Sequence, residues 1–430
     1  MDVWVARQPI FDRRRQLYAY ELLFRSEAGS NQFDGTEAAS ATTQVIANSV
    51  LGIGLDHILC GKKAFLNFDR NLLLGNLHSI LPKENTVLEI LETVEADDEV
   101  LAICKDLHEQ GYALALDDFV CRPETERLTE FAELIKVDLR TTTKQEQMRL
   151  LATYRPRGIR MLAEKVETLE EFRWAWNAGY DYFQGYFFAR PALMRGRQIP
   201  AVKVTCLDLL REVQQAELDF DRLQALIEND VSLSYQLLRY VNSALFSSRV
   251  ETHTIHNGLA RLGEDGIRHW AVLATLPILA QDKPGELIVL SLVRAHFCDC
   301  LSKLAHLPAG KYAYLMGLFS LIDALIDLPL KEALQRADVA PVISGALLEI
   351  AGEHDPYLNV HRLAGFYESG AWEEVSRLAG ELGIRTSAIG KAYAVSTRWA
   401  QDVLHRRPDE KVTARKPAAS CFDTCGECLT

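Results

Sequence analysis

The sequence predicts an α/β barrel followed by an all-helical region. Up to about residue 190, short apolar runs alternate with amphipathic helical stretches, and polar residues recur at one place in successive runs. After about Pro200 only the three- and four-residue apolar spacing of helices remains. The 430 residues, 48% hydrophobic and 25% charged, suffice for two or three domains and exclude a disordered chain or a small disulfide scaffold.

Seven strand-like runs define the predicted barrel: Leu17–Phe24, Ala64–Phe68, Thr86–Leu91, Tyr112–Phe119, Leu134–Leu139, Met161–Val166 and Tyr182–Phe187. Helical stretches such as Ala96–Gly111 and Leu169–Gly179 separate them, and both end in glycine, as helices commonly do. One polar residue in each of the last six runs recurs after 22, 28, 19, 28 and 20 residues. Since that is the length of a strand–helix unit, the pattern predicts a TIM-like (β/α) barrel.

The predicted limits place the barrel at residues 1–190 and a linker at 191–200, which has a proline at each end. Residues 201–405 are predicted to be helical throughout, and the stretch Tyr312–Ile326 has the spacing of one helix. Residues 406–430 are expected to form a flexible tail. For its Cys421, Cys425 and Cys428 we expect oxidisable thiols, with zinc binding as the alternative, because a closed zinc site needs four ligands.

Charge and hydropathy restrict the class of protein. The 47 Lys plus Arg against 59 Asp plus Glu give a formal net charge of -12, which argues against a broad surface for a nucleic-acid polymer. The chain begins without the basic and apolar segments of a secretory signal, and it lacks an uninterrupted apolar run of roughly 20 residues. We therefore expect a cytoplasmic protein with no membrane association.

Acidic residues lie late in, or just after, nearly every predicted strand. Because the carboxyl ends of barrel strands form one face, these residues are expected to converge there: Glu21, Glu89, Asp117, Asp118, Asp138, Glu164 and Glu167, with Asn67, Lys136 and Gln184. Oxygen ligands without His or Cys suit Mg²⁺ or Mn²⁺ better than Zn²⁺. Adjacent Asp117 and Asp118 can bridge two such ions, an arrangement that hydrolyses phosphodiesters. Taken singly, each acid could instead cap a helix or lie in a solvated loop.

Seven ordered motifs resemble those of EAL-domain cyclic di-GMP phosphodiesterases: Glu21-Leu-Leu-Phe-Arg25, Leu66-Asn-Phe68, Leu88-Glu-Ile-Leu-Glu92, Leu116-Asp-Asp-Phe119, Lys136-Val-Asp138, Ala163-Glu-Lys-Val-Glu-Thr168 and Gln184-Gly-Tyr-Phe-Phe-Ala-Arg-Pro191. The resemblance implies one or two Mg²⁺ or Mn²⁺ ions, with metal ligands Glu21, Asn67, Glu89, Asp117 and Asp118. It implies that Lys136 and Glu164 are catalytic and orient or deprotonate the attacking water. It further implies that the substrate contacts are Arg25, Asp138, Gln184 and Pro191, supported by Glu92 and Glu167.

This sequence differs from the family motifs at residues next to the expected metal ligands and catalytic residues. Val120-Cys-Arg-Pro-Glu124 replaces a glycine followed by a loop of small residues, and Lys165 replaces a glycine beside Glu164. Metal-dependent hydrolysis of cyclic di-GMP to linear pGpG in a bacterial signalling pathway is therefore one hypothesis. A catalytically impaired barrel that binds cyclic di-GMP as a sensor and signals through protein contacts is the alternative, and a barrel that is only a scaffold is a third.

The helical region resembles the HDOD domain, an all-helical relative of the HD phosphohydrolases, through Leu237–Phe246 and Ile255–Gly263. Ser320 and Leu321 stand where an HD enzyme has its metal-binding His-Asp pair, so no metal is expected in this domain. The resemblance implies a regulatory module that contacts a still unidentified protein partner. The resemblance of the barrel to EAL domains implies a homodimer.

Overall fold

The computed structural model describes residues 3–26, 59, 61–75, 77–189, 201–215, 217–242, 252–281, 283–307, 310–352 and 354–405. The predicted linker at 191–200 and the tail at 406–430 lie outside these residues.

Eight strands of the described chain close into a barrel in sequence order: β1 (Val3–Asp12), β2 (Leu17–Ser26), β3 (Lys63–Phe68), β4 (Thr86–Ile90), β5 (Ala113–Leu116), β6 (Leu134–Asp138), β7 (Arg160–Glu164) and β8 (Tyr182–Gln184). The predicted barrel is confirmed. β1, absent from the predicted strands, pairs antiparallel with both β2 and β8, whereas the pairs from β2 to β8 are parallel. The first strand therefore closes the barrel in the opposite direction to the other seven.

Helices connect the parallel strands: α1 (Arg70–Leu74), α2 (Asp98–Gln110), α3 (Pro123–Glu126), α4 (Lys144–Tyr154) and α5 (Leu169–Ala178). Local sequence sets their ends. The Asp97 carboxylate accepts a hydrogen bond from the Val100 amide at the start of α2, and Gly111 ends this helix in the left-handed conformation. At α5, Thr168 and Glu171 form a reciprocal capping box.

Side chains of alternate strand residues fill the interior of the barrel. An apolar layer contains Ile10, Ala19, Phe65, Val87, Ala115, Leu134 and Leu162, one residue from each of β1 to β7. Because strand side chains alternate between faces, the residue two positions further along each strand also points inward. In β2 to β7 these residues are Glu21, Asn67, Glu89, Asp117, Lys136 and Glu164, so a polar layer lies directly above the apolar one.

The rest of the described chain is helical: α6 (Ala201–Glu212), α7 (Phe220–Glu228), α8 (Val231–Val241), α9 (Ile255–Leu279), α10 (Gly285–Leu304), α11 (Gly310–Phe319), α12 (Ile322–Ile326), α13 (Leu330–Arg336), α14 (Pro341–Leu347), α15 (Pro356–Ser369), α16 (Trp372–Leu382) and α17 (Thr386–His405). Apolar side chains of α6 to α9, Trp270 among them, pack into one buried cluster. Among the described residues, every helix falls short of the length and apolarity that a membrane crossing requires.

The chain divides into two compact units, and the barrel unit extends beyond the barrel itself. It includes the segments Gly365–Ala379 and Arg385–Ala394, which contain parts of α15, α16 and α17, while α6 to α14 lie in the second unit. Within the barrel unit the buried Tyr367 hydroxyl donates to the Val5 carbonyl oxygen of β1. The Tyr367 ring packs against Trp372 and Tyr393. The domain limits at residues 190 and 405 stay a prediction.

Candidate metal centre

Neighbouring strands bring the polar layer together at the carboxyl ends of the barrel. Asn67 of β3 lies directly opposite Glu89 of β4, and Asp138 of β6 lies opposite Glu164 of β7. Asp117 follows the last residue of β5, and its backbone amide donates to the Ile90 carbonyl oxygen at the end of β4. Residues that are far apart in the sequence therefore share one small region, as the spacing predicts.

Lys136 is the centre of this region. Its ammonium lies 3.4 Å from Glu21 Oε2, 2.8 Å from Asp117 Oδ1 and 2.7 Å from Glu164 Oε1, and it also contacts Glu89 Oε1. The Lys136 side chain is 1% exposed. This buried ammonium contacts four carboxyl groups, each from a different strand or strand end. Its single positive charge is fewer than the four negative charges that these groups carry when ionised.

Glu21 is the most extensively hydrogen-bonded of the four acids. Its Oε1 accepts from Asn67 Nδ2 at 3.2 Å, and its Oε2 accepts from Gln184 Nε2 at 2.6 Å. Burial disfavours the charged form of Glu21, but the Lys136 ammonium and these two hydrogen bonds outweigh burial, so the pKa of Glu21 is lowered. Gln184 Nε2 also donates to Gln8 Oε1 of β1 at 3.1 Å.

The other three acids hold their protons more strongly. Burial and the neighbouring Glu21 carboxylate raise the pKa of Glu89 well above its ordinary value, although Lys136 opposes them. Burial raises the pKa of Glu164 to about 8 and also raises the pKa of Asp117, again against Lys136. Burial alone would lower the pKa of Lys136, but the four carboxylates raise it well above its ordinary value. The cluster is therefore short of positive charge.

Unpaired oxygens in this region fit a divalent cation. Asn67 Oδ1, Gln184 Oε1 and Glu89 Oε2 are buried and accept no hydrogen bond, while Glu89 Oε1 contacts only the Lys136 ammonium. Carboxylate oxygens of Glu21, Glu89 and Glu164 lie within 4.8 Å of one another. An ion with metal–oxygen distances of about 2.0 to 2.6 Å can bridge oxygens at this spacing, and oxygen-only donor sets suit Mg²⁺, Mn²⁺ and Ca²⁺. Buried oxygens without partners are costly unless a cation binds them.

A second ionic group lies beside the first. Asp138 is 1% exposed, and its Oδ2 accepts a hydrogen bond from Lys165 Nζ at 2.5 Å. Its Oδ1 accepts from the Arg140 amide at 2.6 Å and from the Thr141 amide at 3.4 Å. Burial would raise the pKa of Asp138, but Lys165 and these amides lower it. Lys165 Nζ also lies 3.8 Å from Asp118 Oδ2, and Asp118 Oδ1 is buried without a hydrogen bond.

The remaining predicted site residues lie at the edge of this region or outside the description. Glu167 Oε2 pairs with Arg140 Nη2 at 2.9 Å, and Glu92 is exposed in the turn after β4. The side chain of Arg25 and the whole of Pro191 lie outside the described residues. Two residues that contact the candidate site are not among the predicted site residues. Gln8 belongs to β1, which the sequence does not predict, and Lys165 is identified from the sequence only as a replacement for glycine.

A close backbone approach fixes the end of β8. The Val166 amide donates to the Gln184 carbonyl oxygen at 2.9 Å, and the next residue, Gly185, has φ 139°. A Cβ at residue 185 would collide with the Val166 backbone, so only glycine fits there. This contact positions Gln184 beside Glu21.

Hydrogen bonds hold the backbone at the start of the loop after β5. The Phe119 amide donates to the Lys136 carbonyl oxygen at 3.0 Å, and Thr125 Oγ1 donates to the Val120 carbonyl oxygen at 2.9 Å. The left-handed residue of this segment is Asp118, with φ 38°. Val120, which replaces a family glycine, is therefore not the residue that turns the chain.

In the helical unit, Ser320 is one of the two residues that the sequence resemblance aligns with the His-Asp pair of HD enzymes. Ser320 Oγ donates to the Gly317 carbonyl oxygen at 2.7 Å and accepts from Arg294 Nη1 at 3.3 Å. The Ser320 hydroxyl is thus engaged in local hydrogen bonds between α10 and α11.

The fold and the site define a closed α/β barrel protein with an acidic candidate metal centre and a helical region after it. A model of the EAL domain matches residues 67–191, and a model of the HDOD domain matches residues 199–334. Over 412 residues the chain is 33% identical to uncharacterized protein YuxH of Bacillus subtilis, covering 94% of this chain and 99% of that protein. It is 34% identical over 404 residues to the cyclic di-GMP phosphodiesterase CdgJ of Vibrio cholerae, covering 93% of each. The chain belongs to the family of proteins that join an EAL domain to an HDOD domain.

The solved structures that match part of this chain include two complexes with cyclic di-GMP. One is the calcium and cyclic di-GMP complex of Klebsiella pneumoniae BlrP1, at 24% identity and a TM-score of 0.37, covering 44% of this chain and 56% of that chain. The other is the cyclic di-GMP-bound form of a standalone EAL protein from Vibrio cholerae, at 25% identity and a TM-score of 0.34, covering 44% of this chain and 92% of that chain.

Proposed function

We propose that this chain is a bacterial cyclic di-GMP signalling protein whose barrel hydrolyses cyclic di-GMP to linear pGpG with a divalent cation. The observation that carries the proposal is the contact of one buried lysine, Lys136, with four carboxylates from four strands or strand ends, beside buried oxygens that accept no hydrogen bond. The family relationship and the name of the Vibrio cholerae relative support the substrate.

Glu21, Asn67, Glu89 and Asp117 would hold Mg²⁺ or Mn²⁺. Bound there, the cation supplies positive charge that polarises a phosphodiester and makes a nearby water more acidic. It also brings together negative charges that Lys136 alone does not balance.

Lys136 and Glu164 have different roles in activating the water: Lys136 positions Glu164, and Glu164 is the base. Lys136 Nζ holds Glu164 Oε1 at 2.7 Å and so fixes the carboxylate. Glu164 Oε2 takes a proton from the attacking water, while the water oxygen bonds to phosphorus and one P–O ester bond breaks. A base with a pKa near the working pH suits this step, and the pKa of Glu164 is about 8. The proton taken by Glu164 is then passed, through solvent, to the departing ribose oxygen, so Glu164 is regenerated and one water is consumed for each pGpG.

The experiment is incubation of the full chain with cyclic di-GMP and Mn²⁺, followed by chromatography for pGpG. Glu89→Gln removes a proposed ligand charge with little change in size, and we expect product formation to fall at least about 100-fold. Glu109→Gln, which changes an exposed carboxylate on α2 outside the candidate site, is the control and should retain activity within about threefold.

Binding of cyclic di-GMP with no pGpG after long incubation would refute hydrolysis and support the sensor function. The ion pair of Lys165 with Asp138 favours this second function, because it engages a residue that the family resemblance assigns to substrate. Absence of both binding and product would contradict the proposal and leave the barrel as a scaffold. In all three cases the HDOD region is proposed to contact a protein partner, and sedimentation of the chain tests the proposed homodimer.

A further inference from the structure

Lys165 has a backbone conformation that is unusual for a lysine. It follows the last residue of β7 with φ 53°, in the left-handed region that side chains with a Cβ adopt at an energetic cost. Asp118, whose Oδ2 lies 3.8 Å from the Lys165 ammonium, also lies in this region with φ 38°. Residues held in such conformations cluster at functional sites.

The contacts of Lys165 fix its ammonium near the candidate metal centre. Lys165 Nζ donates to Asp138 Oδ2 at 2.5 Å, and Asp138 is itself buried and held by the Arg140 and Thr141 amides. The Lys165 ammonium also lies 3.8 Å from Asp118 Oδ2. A positive charge is therefore anchored on the side of the site where Asp118 lies.

Asp118 is a residue that a second divalent ion would need. Its Oδ1 is buried and accepts no hydrogen bond, while its Oδ2 lies 3.8 Å from Lys165 Nζ. An ion bound by Asp118 would lie only a few ångströms from the ammonium, so the two positive charges would repel each other, and solvent at the 53% exposed Lys165 side chain screens part of this repulsion.

We propose that Lys165 supplies the positive charge on the Asp118 side of the site, so that the chain binds one divalent ion, through Glu21, Asn67, Glu89 and Asp117, in place of two. This inference rests on the proposed function, because it requires that the first ion binds. Lys165 then acts as a positioning residue that sets the number of ions.

The test counts bound Mn²⁺ in the full chain. Metal is removed with EDTA, the EDTA is removed by gel filtration, and the chain is titrated with Mn²⁺ while free Mn²⁺ is measured by electron paramagnetic resonance. We expect one ion per chain for the unchanged protein. Glycine adopts φ 53° without strain, so Lys165→Gly removes the ammonium and leaves the backbone conformation available. We expect this variant to bind a second ion at least about tenfold more tightly than the unchanged chain does.

Arg15→Gly is the matched control. Arg15 is also a cationic residue at positive φ (59°), in the turn between β1 and β2, where it is exposed. This variant loses one positive charge and one strained residue far from Asp118 in sequence and contacts, and it should still bind one ion. If Lys165→Gly does not fold by circular dichroism, Lys165→Met, which retains the length of the side chain without its charge, is counted in its place and should bind two.

Two ions on the unchanged chain, or one ion on a folded Lys165 variant, would overturn the inference. Two ions on Arg15→Gly would also overturn it, because net charge and not the position of Lys165 would then set the number. No bound Mn²⁺ on the unchanged chain would instead refute the metal centre of the proposed function.

Discussion

The charge of Lys136 is expected to matter for folding as well as for chemistry. Removing one partner from a buried ionic group leaves uncompensated charge and typically costs about 3 to 5 kcal/mol. We therefore expect Lys136→Met to lower the free energy of unfolding by about this amount in EDTA, measured by urea denaturation. Added Mn²⁺ should recover part of the loss, because the cation supplies charge to the same carboxylates.

Lys105→Met is the control for this change. Lys105 is exposed on α2 and lies 3.9 Å from Glu109, a surface pair of the kind that contributes at most about 0.5 kcal/mol. An equal loss of stability in the two variants would show that Lys136 is not the counter-charge of the cluster.

A buried histidine in the helical unit makes stability depend on pH. His296 accepts or donates a hydrogen bond with Ser396 Oγ at 2.9 Å and stacks on Trp399, and burial lowers its pKa from 6.5 to about 3. Because the folded state favours the neutral ring, the unfolded chain binds the proton first, and stability falls as the pH drops below 6.5. From pH 7.5 to 5 we expect His296 to account for a loss of about 2 kcal/mol.

The measurement compares the free energy of unfolding at these two pH values in three chains. His296→Gln should lose about 2 kcal/mol less than the unchanged chain over this range. His256→Gln, which changes an exposed histidine at the start of α9, should lose as much as the unchanged chain. Equal pH dependence in all three chains would contradict the assignment to His296.

Single residues of the polar layer could be predicted because each follows an interior apolar residue by two positions. Asn67 follows Phe65 in this way, and Glu89 follows Val87. The role of Lys165 could not be predicted, because its contact with Asp138 depends on a left-handed turn after β7 that residue types alone do not specify. The assigned roles of these residues stay predictions.

Among the connections between elements, the turn after β8 restricts the residue type most strongly. We expect Gly185→Ala to destabilise the chain by at least about 3 kcal/mol, because the added Cβ combines a positive φ with a collision against Val166. Gly158→Ala is the control, since Gly158 also has positive φ (87°) but open space around it, and should cost about 1 to 2 kcal/mol. Urea denaturation measures both, and similar losses would show that the collision is relieved.

Two elements differ from the sequence-based expectation for physical reasons. β1 contains Pro9 and Arg7, which weaken a strand pattern, yet the strand forms because β2 and β8 pair with it on both sides. The predicted helix Tyr312–Ile326 is two helices, α11 and α12. Ser320 Oγ bonds back to the Gly317 carbonyl oxygen where the helix ends, a local bond that competes with helix continuation.

For the whole molecule, the barrel unit depends on residues near the end of the chain. Tyr367 is buried, donates to the Val5 carbonyl oxygen and packs against Trp372 and Tyr393. We expect Tyr367→Ala to lower the free energy of unfolding by about 3 to 5 kcal/mol and Tyr367→Phe by about 0.5 to 1.5 kcal/mol. The measurement is urea denaturation of the full chain.

Tyr235→Ala serves as the control for this substitution. Tyr235 is 64% exposed on α8, and its truncation should change stability by no more than about 0.5 kcal/mol. If Tyr367→Ala were as mild as Tyr235→Ala, residues 365–379 would not contribute to the stability of the barrel unit.

The antiparallel first strand also sets an order of events during synthesis. β1 leaves the ribosome first, yet its neighbour β8 and its contact Tyr367 are made much later. At about 5 to 20 residues per second, roughly 20 to 70 s separate Val5 from Tyr367. For roughly the first 9 to 35 s of that interval, until β8 is made, the edge of β1 that pairs with β8 has no partner from its own chain. We therefore expect chaperones to bind the nascent chains that have not been extended beyond about residue 185, because an unpaired strand edge recruits other strands.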